Sequence, residues 1–115
     1  MKISELIGKL DYHFNTLKGE PVTDPEKARA LRSTAIREIV TDSRKIAKDC
    51  LFFCIVGAKW DGHDFARQAL LDGAAALVVE KDLDLSDIEG KTPAADPVII
   101  RVQDTRYAMA YIAAA

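Results

Sequence analysis

Nothing in this sequence supplies a membrane span, a basic field or a pair of bridging thiols. No apolar run approaches the ~18 residues that a bilayer-crossing helix needs. Sixteen Lys and Arg against eighteen Asp and Glu leave a net charge of −2, so no positive surface draws in nucleic acid. Neither a membrane nor a nucleic acid is therefore expected as a partner, and the chain is read as a monomer. Cysteine is scarce, with only Cys50 and Cys54. On one strand they would stand about 13 Å apart at ~3.3 Å per residue, beyond the roughly 7 Å that a disulfide tolerates between Cα atoms. Two sulfurs without a second ligand pair also make a poor zinc site, and both are read as small buried thiols. The first residues are not expected to be a signal peptide. The opening MKISELIGKL breaks its apolar residues with Ser4, Glu5 and Lys9, which describes an amphipathic helix and makes a cytoplasmic location the default.

What is present fits one modest α/β domain. The chain has 115 residues, 49% of them hydrophobic and 30% charged, the mix of an ordinary globular core and surface. Ile3, Leu6, Ile7 and Leu10 repeat at helical spacing. Residues 18–34 are polar, and Asp24-Pro25-Glu26 can start a short helical turn. Ile36–Val40 is β-branched and reads as a strand. Leu51–Val56 is a continuous apolar run, short enough for a strand buried on both faces. A helix is expected from about Asp64 to Leu71, with Phe65, Ala69 and Leu70 inward and Gly73 as its stop. Ala75–Val79 and Val98–Val102 read as further strands, and residues 80–97 as an exposed excursion. A last helix, capped by Asp104 or Thr105, carries Tyr107, Ala108, Tyr111 and Ile112. This order predicts a small Rossmann-like domain, a mostly parallel sheet flanked by helices. The sequence ends in AYIAAA inside a helical pattern with no stop signal, which reads as a fragment boundary at Ala115.

The chemistry-bearing stretch is 41-TDSRKIAKDCLFFCIVGAKWDGHDF-65. Gly57 and Gly62 stand at the spacing of a phosphate-binding P-loop, between a strand and a helix. A working P-loop also needs a Lys for the terminal phosphates and a Ser or Thr for Mg²⁺, and His63 and Asp64 stand there instead. Backbone amides alone can still hold an anion, although Asp61 and Asp64 oppose it. The alternative is a plain strand-to-helix turn. Gly90-Lys91-Thr92 is a weaker lead, because Pro93 obstructs the helix that must follow. Thr41-Asp42-Ser43-Arg44 sits at a strand end, where it either faces a ligand or forms an Asx turn with an Asp–Arg pair. Trp60, the only tryptophan, either covers core or offers a flat face to a base. His63 reads as a cap or surface residue, and His13 as an isolated residue in a polar helix end. No catalytic triad or metal-ligand spacing emerges.

Taken in order, TDSRKI, LFFCIVG, WDGHDFARQAL, DGAAALVVE and VIIRVQDTRYAMAYIA resemble the N-terminal domain of the Mur ligases, the ATP-dependent amide-bond ligases of peptidoglycan precursor synthesis. The elements DSR, G-x3-DGH-x-F, GA and DTR-x-A recur in the family's order from about Ile36 to Ala115. Within the family, the MKISEL opening and Asp104-Thr105-Arg106 favour the branch that adds the third residue of the peptide, diaminopimelate or lysine. The branch adding D-Ala-D-Ala is the runner-up. A stand-alone Rossmann-like binding module is the alternative of another class. The resemblance implies that residues 1–115 anchor the UDP end of a UDP-N-acetylmuramoyl-peptide. ATP and Mg²⁺ would be bound by domains outside this fragment, which itself would hold no cofactor and no catalytic residue. By position, Thr41, Ser43, Ala58, Lys59 and Trp60 would surround the UDP moiety. Similar sequences often carry Gly just before the apolar strand, where this chain has Asp49-Cys50, a departure that touches none of these contacts.

Overall fold

The apolar runs at 50–53, 76–79 and 98–100 occupy the middle of a five-stranded sheet, as residues buried on both faces must. The structure, a computed structural model, describes residues 1–114. In chain order they form α1 (Ile3–Ile7), β1 (Tyr12–Asn15), α2 (Pro25–Arg32), β2 (Glu38–Val40), β3 (Cys50–Phe53), α3 (Ala66–Leu71), β4 (Ala76–Val79), β5 (Val98–Val102) and α4 (Thr105–Ala114), with short 3₁₀ turns at Ser43–Lys45, Gly62–Phe65 and Ser86–Ile88. The strand order is β1-β5-β4-β3-β2. β2, β3, β4 and β5 run parallel, and β1 pairs antiparallel with β5. The expected mostly parallel, helix-flanked sheet is therefore the fold. The fragment boundary expected at Ala115 lies outside the described residues.

Strand alternation divides the core into two layers. Leu51, Phe53, Ala76, Val78, Val98 and Ile100 face α1, α2 and α4. Phe52, Leu77, Val79 and Ile99 face α3 and the segment around Leu85 and Ile88. Cys50 and Cys54, four residues apart, lie on this second face as free, fully buried thiols. Burial raises both, Cys54 to about 12, so neither is a thiolate at neutral pH.

Helix ends follow local rules. Asp24 Oδ1 accepts the Glu26 N–H at 3.0 Å at the start of α2. Asp104 Oδ1 accepts the N–H groups of Arg106 and Tyr107 at 2.9 and 3.1 Å, so Asp104 caps α4. Gly73, at φ 112°, ends α3. Asp49 has φ 64°, a left-handed conformation that Asp tolerates better than most residues.

Three expectations differ from the fold. The amphipathic helix at the start is one short turn, α1, after which Leu10 still reaches the core. His13 lies in β1, opposite Arg101, and not at a helix end. A four-residue strand with alternating Tyr12, His13, Phe14 and Asn15 leaves little periodicity to read, and its pairing partner lies far along the chain. Residues 80–97 are not wholly exposed, because Leu85 and Ile88 are buried.

Candidate functional site

All four parallel strands end on one edge of the sheet, the edge where open α/β folds bind ligands. Residues 41–44 follow β2, residues 54–62 follow β3, Glu80 and Lys81 follow β4, and Gln103 to Thr105 follow β5. A hollow of about 730 Å³ opens there between the 41–44 turn and Trp60. Its floor is apolar, from Phe52, Ile55 and Phe65. A volume within the ~300–1,000 Å³ range, apolar lining and a few polar groups at the rim describe a small-molecule site.

The polar rim is Thr41-Asp42-Ser43-Arg44. Asp42 Oδ1 accepts the Arg44 backbone N–H at 3.0 Å, and the Arg44 guanidinium closes on the same carboxylate at 3.1 and 2.9 Å. The Asx turn with its Asp–Arg pair is thus formed, and the same residues line the hollow. The Arg44 side chain and backbone bonds hold the Asp42 carboxyl at about 2. Across the hollow, Trp60 is 74% exposed. It covers no core, so its indole face is open to the hollow's contents.

The glycine pair of the apparent P-loop builds a miniature hairpin. Gly57 N–H donates to the Trp60 carbonyl at 2.8 Å, and Gly62 N–H donates to the Ile55 carbonyl at 2.8 Å. Ala58 and Lys59 form its tip, exposed and outside the hollow's lining. The next amides are engaged as well: His63 N–H meets Asp61 Oδ1 at 2.9 Å, and Asp64 N–H meets the Asp61 carbonyl at 3.0 Å. Four of the amides that a phosphate cradle would aim at an anion, those of Gly57, Gly62, His63 and Asp64, are therefore already bonded within the loop. Gly62 is required for another reason. A Cβ there would stand 2.6 Å from Ile55 N and 2.9 Å from Cys54 backbone atoms.

Behind the hairpin lies a second polar cluster that sequence reasoning did not assemble. His63 is buried, correcting the cap-or-surface reading. Its Nε2 accepts the Glu80 backbone N–H at 3.0 Å, which places the ring proton on Nδ1, facing Asp61 Oδ1 at 2.7 Å. Lys81 Nζ donates to the other Asp61 oxygen. Burial is the largest single influence on the Asp61 carboxyl and works to raise it. The bonds from Lys81 and His63 outweigh it and hold the group well below the usual carboxylate range. Glu80 Oε1 in turn accepts Thr105 Oγ1–H at 2.6 Å and Thr105 N–H at 3.0 Å. Arg106 Nε donates to the Val56 carbonyl at 3.2 Å. The Asp-Gly-His and Asp-Thr-Arg motifs thus tie the ends of β3, β4 and β5 to α4. The spacing between these motifs gives no hint that they meet.

The site does not fit a nucleoside triphosphate held in P-loop fashion. The loop has no Lys or hydroxyl in the required positions, and its glycine amides are engaged. Among the described residues no group of three or more His, Cys, Asp or Glu is placed to hold a metal ion, and no helix is long and apolar enough to cross a membrane.

Comparison with known proteins matches residues 35–115 to the Mur ligase family, catalytic domain. The UDP-N-acetylmuramoyl-L-alanyl-D-glutamate--2,6-diaminopimelate ligase of Bacillus velezensis is 54% identical over 77 residues, which is 67% of this chain and 15% of that protein. The ligase of the same name from Clostridioides difficile is 36% identical over 113 residues, 98% of this chain and 19% of that protein. A crystal structure of MurF from Acinetobacter baumannii superposes with a TM-score of 0.55 at 29% identity, over 69% of this chain and 15% of that one. The chain thus spans less than a fifth of the length of these relatives. The matched stretch contains the 41–44 turn, the hairpin and both tied motifs, and this chain belongs to the Mur ligase family.

Proposed function

We propose that residues 1–115 are the N-terminal, UDP-substrate-binding domain of an ATP-dependent UDP-N-acetylmuramoyl-L-alanyl-D-glutamate amino-acid ligase of peptidoglycan synthesis. One observation carries the reading: an apolar hollow of about 730 Å³ joins the Thr41–Arg44 rim to an exposed tryptophan in a chain of this family. Uracil would pack on Trp60 and the Phe52–Phe65 floor. Thr41 and Ser43 would offer hydroxyls to the polar part of the nucleotide, and Ala58 and Lys59 would close over it from the hairpin tip.

In the whole protein, ATP would activate the substrate carboxylate as an acyl phosphate for attack by an amine, with Mg²⁺ bound alongside ATP in other domains. The residues here would contribute positioning. Binding energy from the remote UDP handle would hold the carboxylate in place for the reaction. The relatives' names support the branch adding the third residue, with diaminopimelate as that residue, over the branch adding D-Ala-D-Ala. A cytoplasmic location accords with this role.

The test is an amide-resolved NMR titration of the 115-residue chain with UDP-N-acetylmuramic acid. Shifts are expected at residues 41–43 and 58–60, with no ATP hydrolysis. Silence at millimolar ligand, or shifts confined to other surfaces, would sink the site, though not the family membership.

A further inference from the structure

Among the residues lining the hollow, Arg44 is the one cation. Its fork is closed on Asp42, with Nε 3.1 Å from Oδ1 and Nη2 2.9 Å from Oδ2. The two partners are not equally held. Asp42 Oδ1 also accepts a backbone N–H at 3.0 Å, so the carboxylate is anchored to the turn. The Arg44 side chain is 87% exposed, against 32% for Asp42, so the guanidinium is the partner free to swing. Exposed ion pairs are weak because water screens them and two long side chains must be ordered. A phosphate oxygen pair meets the same planar fork bidentately with greater charge.

We propose that the Asp42–Arg44 pair is an internal placeholder for a nucleoside diphosphate. Arg44 leaves Asp42 to bind the diphosphate, and Asp42 is a built-in competitor that weakens diphosphate binding while leaving the nucleoside contact untouched. This rests on reading the hollow as a UDP site. It adds to the hairpin-tip Lys59 a counter-charge on the hollow's own wall. The selectivity for diphosphate over bare nucleoside is then tuned by two residues two positions apart.

The experiment measures dissociation constants of UDP and of uridine for the 115-residue chain and two variants, by calorimetry, with thermal unfolding to confirm folding. Asp42→Asn keeps a side-chain oxygen for the Arg44 N–H but removes the competing charge. UDP is expected to bind about threefold tighter, with uridine unchanged. Arg44→Gln is expected to weaken UDP about tenfold, again with uridine unchanged. Weaker UDP binding in Asp42→Asn, or an unchanged UDP-to-uridine ratio in both variants, would overturn the placeholder and leave the pair as a turn brace. A native chain that binds neither uridine nor UDP at residues 41–44 and Trp60 would remove the UDP reading itself, and the placeholder with it.

Discussion

Two polar clusters share the C-terminal edge of this sheet, and they differ in how their side chains are occupied. In the cluster around His63 both ring nitrogens, both Asp61 oxygens and the Glu80 carboxylate meet protein partners. At the rim of the hollow, Thr41 and Trp60 are exposed, and among the described residues Arg44 pairs within its own turn. Satisfied and buried groups brace a structure, whereas exposed groups around an apolar floor are available to a ligand. The distinction divides the family motifs by role. Asp-Gly-His and Asp-Thr-Arg hold the hairpin and α4 in place, and Asp-Ser-Arg faces the hollow.

That contrast is open to direct attack. The largest effect is expected from Gly62→Ala, which forces a Cβ against the backbone of Ile55 and Cys54. Backbone cannot yield as a flexible side chain would, and a loss of about 3 kcal/mol in denaturant unfolding is expected. His63→Ala comes next. It strands the Glu80 N–H and one Asp61 bond beneath the hairpin, with an expected loss of about 2 kcal/mol. A change within experimental error would show that the braced cluster does not brace.

Acid should weaken the His63 cluster. The Asp61 carboxyl lies lower in the folded chain than the ~3.9 of an unfolded Asp. A depressed folded value contributes stability that is complete above the unfolded value and is lost as pH falls through the folded one. The unfolding midpoint should therefore hold from pH 7 to about 5 as far as this group is concerned, then drop below about pH 4. The drop should be shallower in Asp61→Asn. Equal slopes in the two proteins would assign acid sensitivity elsewhere.

The smallest stability effect is expected at the open site. Trp60→Ala removes a side chain that is 74% exposed, so unfolding should change by no more than about 0.5 kcal/mol. UDP affinity should nevertheless fall about tenfold, the scale of one base stacked on an aromatic ring. Loss of stability with intact affinity would reverse the roles assigned to the two clusters.

Much of the fold was legible because burial writes itself into composition. Leu51–Phe53, Ala76–Val79 and Val98–Ile100 are apolar at every position, and runs this short suit a strand covered on both faces. The caps at Asp24 and Asp104 and the stop at Gly73 were readable because each acts within a few residues of itself. β1 was not, because it exists through pairing with β5, some ninety positions along the chain. The burial of His63 is hidden from the sequence for the same reason. Its flanks, Gly62 and Asp64, look like a polar turn, and its ring partner, the Glu80 N–H, lies 17 positions along the chain.

The order of residues by itself determined a two-faced apolar sheet, its helix ends and the incompleteness of the apparent P-loop, since these rest on side-chain type and near-neighbour chemistry. Tertiary structure alone decided which polar groups are used up and which remain open. Hydrogen bonds between segments 17 to 50 residues apart close one cluster, and folding of the β2 turn toward the β3 hairpin opens the hollow beside the other.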